Sequence, residues 1–195
     1  MQNKINMKNA IFFLGCTAFI MLACNNQPAD PVEKADSTNE AKQDQTVVVS
    51  KTKENTSGFL VKAADDGMAE VQAGKLGEEK ATHNSVKKFA TLMVKHHTAA
   101  NDEIKALAAK LNISLPQAPS EENMKKAADL GGKKVKDFDE DFMDMMVSDH
   151  KKAIDLFQDA SDDDIDADVK AFINNTLPKL QGHLAMADSI HKSLK

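Results

Sequence analysis

The sequence predicts an all-α protein, and three observations carry that reading. Trp and Tyr are absent from the 195 residues while Ala, Lys and Asp are plentiful, a balance that favours helix over sheet. Four long stretches space their apolar residues by threes and fours, so that each stretch closes into one stripe when wound as a helix. The strongest breakers, Pro116, Pro119 and the Gly131-Gly132 pair, fall between the second and third of those stretches.

Composition narrows the function classes. A hydrophobic content of 42% with 28% charged residues fits one globular domain with a sizeable core and appendages. Acidic residues number 30 against 25 basic ones, and every basic residue is Lys. Without Arg the chain has no planar fork for phosphate or guanine, and its net charge of −5 repels a polyanion. Nucleic acid is therefore not expected as a partner.

The first residues read as a targeting signal. Lys4 and Lys8 form a positive start, Ala10 to Leu22 an apolar run too short to span a bilayer comfortably, and Met21-Leu22-Ala23-Cys24 a small-residue junction. The junction resembles the lipobox of bacterial lipoproteins, in which the Cys is acylated and becomes the first mature residue. Phe13-Leu14-Gly15-Cys16 is a weaker rival, because cleavage there leaves an apolar run on the product. An uncleaved N-terminal membrane anchor is the competing reading. With Cys24 lipidated and Cys16 removed, no thiol remains for a disulfide or a thiolate metal site.

Asn25 to about Ser57 is polar, carries Pro28 and Pro31, and has few large apolar residues before Val47-Val48-Val49. Such a segment buries too little surface to offset its chain entropy, so a disordered tether is expected. The division is then a signal peptide over 1–23, a tether over 24–56 and a four-helix domain over 57–195.

The first helix is expected from about Ser57 to Glu79, capped by Thr56 or Ser57. Leu60, Ala63, Ala64, Gly67, Val71 and Gly74 make its inner stripe, with Glu70 in phase. Each internal Gly costs about 1 kcal/mol in a helix, which points to close packing or a bound group. The second helix, Asn84 to Leu111, has the stripe Val86, Ala90, Met93, His97, Ala100, Ile104, Leu107 and Leu111. His97 replaces an apolar residue in that series, whereas His96 lies about 100° away, toward a groove or solvent. His83 belongs to the exposed turn between the two helices.

Residues 112–137 form a long connection with a short helix opened by Ser120-Glu121-Glu122 and closed by Gly131-Gly132. A link of that length can travel the height of a bundle, letting the third helix start at the same end as the second. The third helix spans about Asp139 to Ala160. There Met143, Met146, Val147, Ala153, Ile154 and Phe157 share a face with His150 at its centre, and Met-Val-x-x-His repeats the phrase around His97. Asp162-Asp163-Asp164, Asp166 and Asp168 suit a solvated turn and helix start better than a calcium loop. The fourth helix, Asp166 to Leu194, carries Val169, Ile173, Thr176, Leu180, His183, Ala187, Ile190 and Leu194, with a kink expected at Pro178 and a solvated His191 at the rim.

Each helix thus places one titratable residue in an apolar stripe: Glu70, His97, His150 and His183. Imidazole and carboxylate suit one divalent transition metal such as iron, zinc or copper, and bundle metal sites are built from inward-facing side chains of this kind. Glu70 and His97 stand at nearly equal heights from their turn. His150 and His183 differ by roughly 10 Å at 1.5 Å per residue, which makes His183 the hardest ligand to bring in. The competing reading is a metal-free buried network of Glu70 and the histidines, with Asp149 or a backbone carbonyl orienting one ring. A third reading gives Met93, Met143, Met145, Met146 and Met186 to Cu(I), although Met at helical spacing is ordinarily core filler.

The blocks Phe59 to Ala64, Gly67 to Val71, Met93 to His97, Phe138-Asp139, Met146 to His150 and Leu177 to Leu184 together resemble a bacterial envelope family. That family carries a domain of unknown function, number 4142, and its members are labelled predicted outer-membrane proteins. The resemblance covers about residues 57–193 and implies a ferritin-like four-helix bundle with its long connection between the second and third helices. Its first Asp-His pair is His96-His97 here, so an Asp beside His97 is not carried over, whereas Asp149-His150 fits. Phe142 to Phe157 is also similar to the Met-Met-x-x-His-His phrase of a related, copper-responsive envelope family, with Asp149 where that phrase has its first His. A ferritin-type di-iron centre needs Glu-x-x-His, but Val94, Val147 and Leu180 stand three residues before the histidines.

The expectation is a domain lipid-anchored through Cys24 in the bacterial envelope, at the outer membrane or its periplasmic face, with a non-catalytic role and a metal at Glu70, His97, His150 and His183. The alternative is a metal-free structural or interaction module of the same envelope.

Overall fold

The computed structural model of the protein describes residues 29–43 and 51–195. The expected signal peptide, Cys24 and the Val47-Val48-Val49 triplet lie outside the described residues. Those residues form α1 (Pro31–Gln43), α2 (Lys51–Lys80), α3 (Asn84–Leu111), α4 (Glu121–Gly131), α5 (Val135–Asp162) and α6 (Ala167–Leu194). No strand occurs among them, and no helix among them is long and apolar enough to cross a membrane.

Helices α2, α3, α5 and α6 make an all-α, ferritin-like bundle in which α2 and α6 each pack against both α3 and α5. Contacts along the helices fix their directions. Thr82 at the α2–α3 turn meets Asp139 near the start of α5, while Phe59 near the start of α2 meets Phe157 near the end of α5. Lys110 near the end of α3 pairs with Asp168 at the start of α6. So α3 and α5 run parallel, and the connection between them returns the chain along the bundle by way of α4. This is the arrangement expected from the length of that link.

Caps explain where the helices stop and start. Asn112 adopts a left-handed conformation (φ 55°) after α3, and Ile113 N–H then reaches the Ala108 carbonyl at 2.8 Å. The His83 side chain does not cap α3. Asp139 instead holds the turn before α3 from another helix, accepting from Thr82 N–H at 3.0 Å, His83 N–H at 2.8 Å and the Thr82 hydroxyl at 2.5 Å. Ser120 caps α4, and Asp166 caps α6 by accepting from Asp168 and Val169 N–H.

The first helix is longer than expected, starting at Lys51. Thr56 and Ser57 do not cap it; their hydroxyls donate back to the carbonyls of Thr52 and Glu54, and Thr56 also accepts from Asp166 N–H at 3.0 Å. The expected tether differs too, because Pro31–Gln43 is helical. Polar contacts hold it: Asn39 accepts from Ser114 N–H (2.7 Å) and donates to its carbonyl (2.9 Å), and Lys42 reaches the Asn112 carbonyl and the Ser114 hydroxyl. These partners lie seventy or more residues away in sequence, beyond the reach of a local composition argument.

Gly67, Gly74 and Gly77 of α2 serve close packing. A Cβ on Gly74 would stand 2.8 Å from Val94 Cγ2 and 3.1 Å from the Ala90 carbonyl oxygen, so α3 sits directly against the α2 backbone. The core falls into two apolar clusters. One holds Phe59, Ile104, Phe157, Phe172 and Leu180 near the start of α2, and the other holds Phe89, Met93, Phe138, Phe142, Met143 and Met146 near the α2–α3 turn. Between them lies a polar layer.

Candidate metal centre

That layer is made of Glu70, His97, His150 and His183, one from each bundle helix. Side-chain pattern puts them there: each follows its helix's apolar stripe, and three are 5% exposed while His150 is 0% exposed. His97 Nδ1 donates to Glu70 Oε2 at 2.7 Å. His150 Nδ1 stands 3.2 Å from Glu70 Oε1, but its hydrogen bond goes to the Met146 carbonyl at 2.9 Å. Its Nε2 faces His183 Nδ1 at 3.4 Å, and His183 Nε2 faces His96 Nδ1 at 2.8 Å.

The height mismatch expected between His150 and His183 is closed. Helix α5 runs on to Asp162, which moves its end away from His150, and α6 begins only after Asp166. The two rings come to rest 5.4 Å apart, and His97 lies 5.5 Å from each. One ring nitrogen from each of His97, His150 and His183 lies within 4.8 Å of the other two. In a tetrahedral site with metal–nitrogen bonds of about 2.0–2.1 Å, neighbouring nitrogens are about 3.4 Å apart. The His150–His183 separation already has this value, and the widest pair needs to close by about 1.4 Å at most.

Each ring has its other nitrogen held by a different group: Glu70 for His97, the Met146 carbonyl for His150 and His96 for His183. Holding one imidazole nitrogen in this way fixes the ring and turns the other nitrogen inward, which is how ligating histidines are oriented. His97 Nε2 is buried with no hydrogen-bond partner, and so is Glu70 Oε1. A buried imidazole nitrogen without a partner is costly whether it carries a proton or a lone pair. Glu70 meets the rings on their Nδ1 edges and stands outside the three-nitrogen group, so its observed place is that of an orienting carboxylate.

Electrostatics agree with one ion pair in a layer that resists further protons. Burial would raise the Glu70 carboxyl, but His97 and His150 outweigh it, with His183 adding to them, and lower it to about 2. Burial would lower the His97 ring, yet the Glu70 carboxylate overcomes this by charge and by hydrogen bond and raises it. His183 is lowered to about 3 by burial and then by the neighbouring His97, His150 and His96.

A cavity of about 310 Å³ opens beside the layer, reached by His97, His183, Glu70 and His96 on one side and by Ala63, Ala153 and Phe172 on the other. At its edge, Asp66 is raised to about 6 by burial and by Asp65 and Glu70 beside it.

Sequence reasoning missed His96, whose helical phase puts it outside the stripe. The repeated imidazole next to His97 was the available signal; its partner on α6 was not. Asp149 does not orient His150, because the Met146 carbonyl takes that role. His191 is not solvated at the rim but half-buried, with Nε2 3.0 Å from Asp144 Oδ1. Of the methionines, Met93, Met143 and Met146 are fully buried with the phenylalanines, while Met186 is exposed, so the set is divided between core and surface.

Residues 38–190 match the family model described as Domain of unknown function (DUF4142). The chain belongs to this family. Among solved structures, the chain is similar to a DUF305 fragment from Deinococcus radiodurans, with a TM-score of 0.63 at 13% identity, covering 71% of this chain and 96% of that one. At that identity the likeness shows the fold alone. No curated protein matches the chain. The DUF4142 match begins inside α1, so that helix falls partly within the family's span.

Proposed function

We propose that this DUF4142 domain binds a single transition-metal ion through His97, His150 and His183, with Glu70, the Met146 carbonyl and His96 orienting the three rings. The observation that carries the reading is the buried Nε2 of His97, which lacks a partner and stands beside an inward-facing nitrogen from each of the other two rings. Three imidazoles suit zinc, copper, iron or nickel, and an orienting carboxylate raises the basicity of the ligand it holds. The role is ion holding in the bacterial envelope. Lys4, Lys8, the apolar run and the Met21-Leu22-Ala23-Cys24 junction support attachment through lipidated Cys24, to the outer membrane or its periplasmic face.

A second reading is a metal-free structural or interaction module. The His97–Glu70 ion pair favours it, because that pair and the ring-to-ring hydrogen bonds already satisfy much of the layer. One experiment separates the two. Residues 25–195 are purified without tag or chelator, analysed for metals, and melted with and without EDTA. Near-stoichiometric metal that is absent from a His97→Ala, His150→Ala double variant supports the centre. No metal, no EDTA effect and no stabilisation by added zinc, iron or copper would leave the packing module.

A further inference from the structure

The cavity beside the histidine layer has no part in holding the ion, and its shape is specific. Its walls are cut back by small side chains on three helices, Ala63 on α2, Ala100 on α3 and Ala153 on α5, where larger apolar residues would fill the space. At about 310 Å³ it lies at the lower end of the range for small-molecule sites, and a dry apolar cavity half that size takes up benzene. Phe157, Phe172 and Leu180 supply flat and branched apolar surface. His97 and His183 form part of the wall, so two of the three rings that face the ion also face the cavity.

Three protein ligands leave a tetrahedral ion one position short, and sites of that kind take an outside ligand there. We propose that the cavity is the ligand chamber of the three-histidine centre, taking a small, mostly apolar molecule that gives the ion one donor atom. This rests on the metal reading above. Size follows from the volume, which is the share of about ten waters and suits a molecule of about ten non-hydrogen atoms. The donor end meets the ion, and the apolar body lies toward Phe157 and Phe172.

The test uses Co(II) as the ion, because its visible absorption reports both uptake and a change in coordination. Imidazole and 4-phenylimidazole are titrated into the Co(II) protein, with azide as the anionic probe. Both imidazoles should shift the spectrum, and 4-phenylimidazole should bind about 10- to 100-fold more tightly, because its ring is buried in the chamber. Ala153→Leu and Ala63→Leu, two separate fillings from different helices, should keep Co(II) uptake and imidazole binding while removing the advantage of the phenyl ring. Azide, which has no apolar body to bury, should bind the filled variants as well as it binds the parent protein. Co(II) uptake with no spectral change on adding either imidazole would overturn the chamber and leave the centre standing, as would equal affinities for the two. An advantage that survives in a folded filled variant would also overturn it. Failure to take up Co(II) would overturn the centre and the chamber together.

Discussion

At the scale of single residues, His183 has the least ordinary titration. In the folded protein it is held neutral down to about pH 3, whereas in the unfolded chain it takes a proton near its ordinary value of 6.5. Below pH 6.5 the unfolded chain therefore binds a proton that the folded one refuses, and stability falls with pH from that point. Glu70 acts in the same direction at lower pH. Its carboxyl is lowered from 4.5 to about 2, so its contribution is complete above 4.5 and is lost as pH falls through 2. His97 is raised and works the opposite way, stabilising at low pH and losing that contribution as pH rises through its folded value. Urea midpoints of EDTA-treated protein at pH 7 and pH 4.5 should show a fall, and His183→Asn should fall less across the same window. Equal falls in the two proteins would refute the assignment to His183.

At the scale of elements, the link between the α2–α3 turn and α5 depends on one carboxylate. Asp139 is buried and receives two backbone N–H groups and a hydroxyl from Thr82 and His83, which ties the turn before α3 to the start of α5. Asp139→Ala should cost about 1–2 kcal/mol in denaturant unfolding, because it removes charge-assisted hydrogen bonds that tie the α2–α3 turn to α5. Asp139→Asn should retain part of the loss. The bundle itself was legible in the sequence because its signals are local. Asn84 to Leu111 emerges at its expected bounds on the strength of its stripe, and the Glu121–Gly131 helix on its Ser120 cap and its glycine stop. Helix α1 was not legible, since its apolar content is low and its hold comes from Asn39 and Lys42 bonding to residues 112–114. The site was partly legible for the same reason. His97, His150 and His183 interrupt apolar stripes, a one-dimensional signal, whereas the His96 contact and the Glu70 position depend on how α6 and α2 are rotated in the bundle.

At the scale of the whole molecule, α1 joins the far end of the bundle to whatever precedes it. Its hold is narrow: the buried Ala35, with Asn39 and Lys42 bonding to residues 112–114, and Asp30, which accepts from Val32 N–H and Glu121 N–H. Asn39→Ala in the full chain should lower global stability by only about 1–2 kcal/mol, the worth of its two bonds to Ser114. Hydrogen exchange should then show α1 opening while α2 and α3 remain protected. Loss of protection throughout the bundle would show that α1 is part of the core instead.

The division of the interior into two apolar blocks has a consequence for alignment. Leucine-like surfaces accept a slide of one helical turn, about 5.4 Å, at modest cost, and a bundle made of them alone is vague about vertical register. Here a slide of any one helix would drive Glu70 or a histidine into hydrocarbon and strand its counterpart. The polar layer works as an index mark: four side chains, one per helix, agree at a single height, and every other layer of the bundle inherits its position from that agreement.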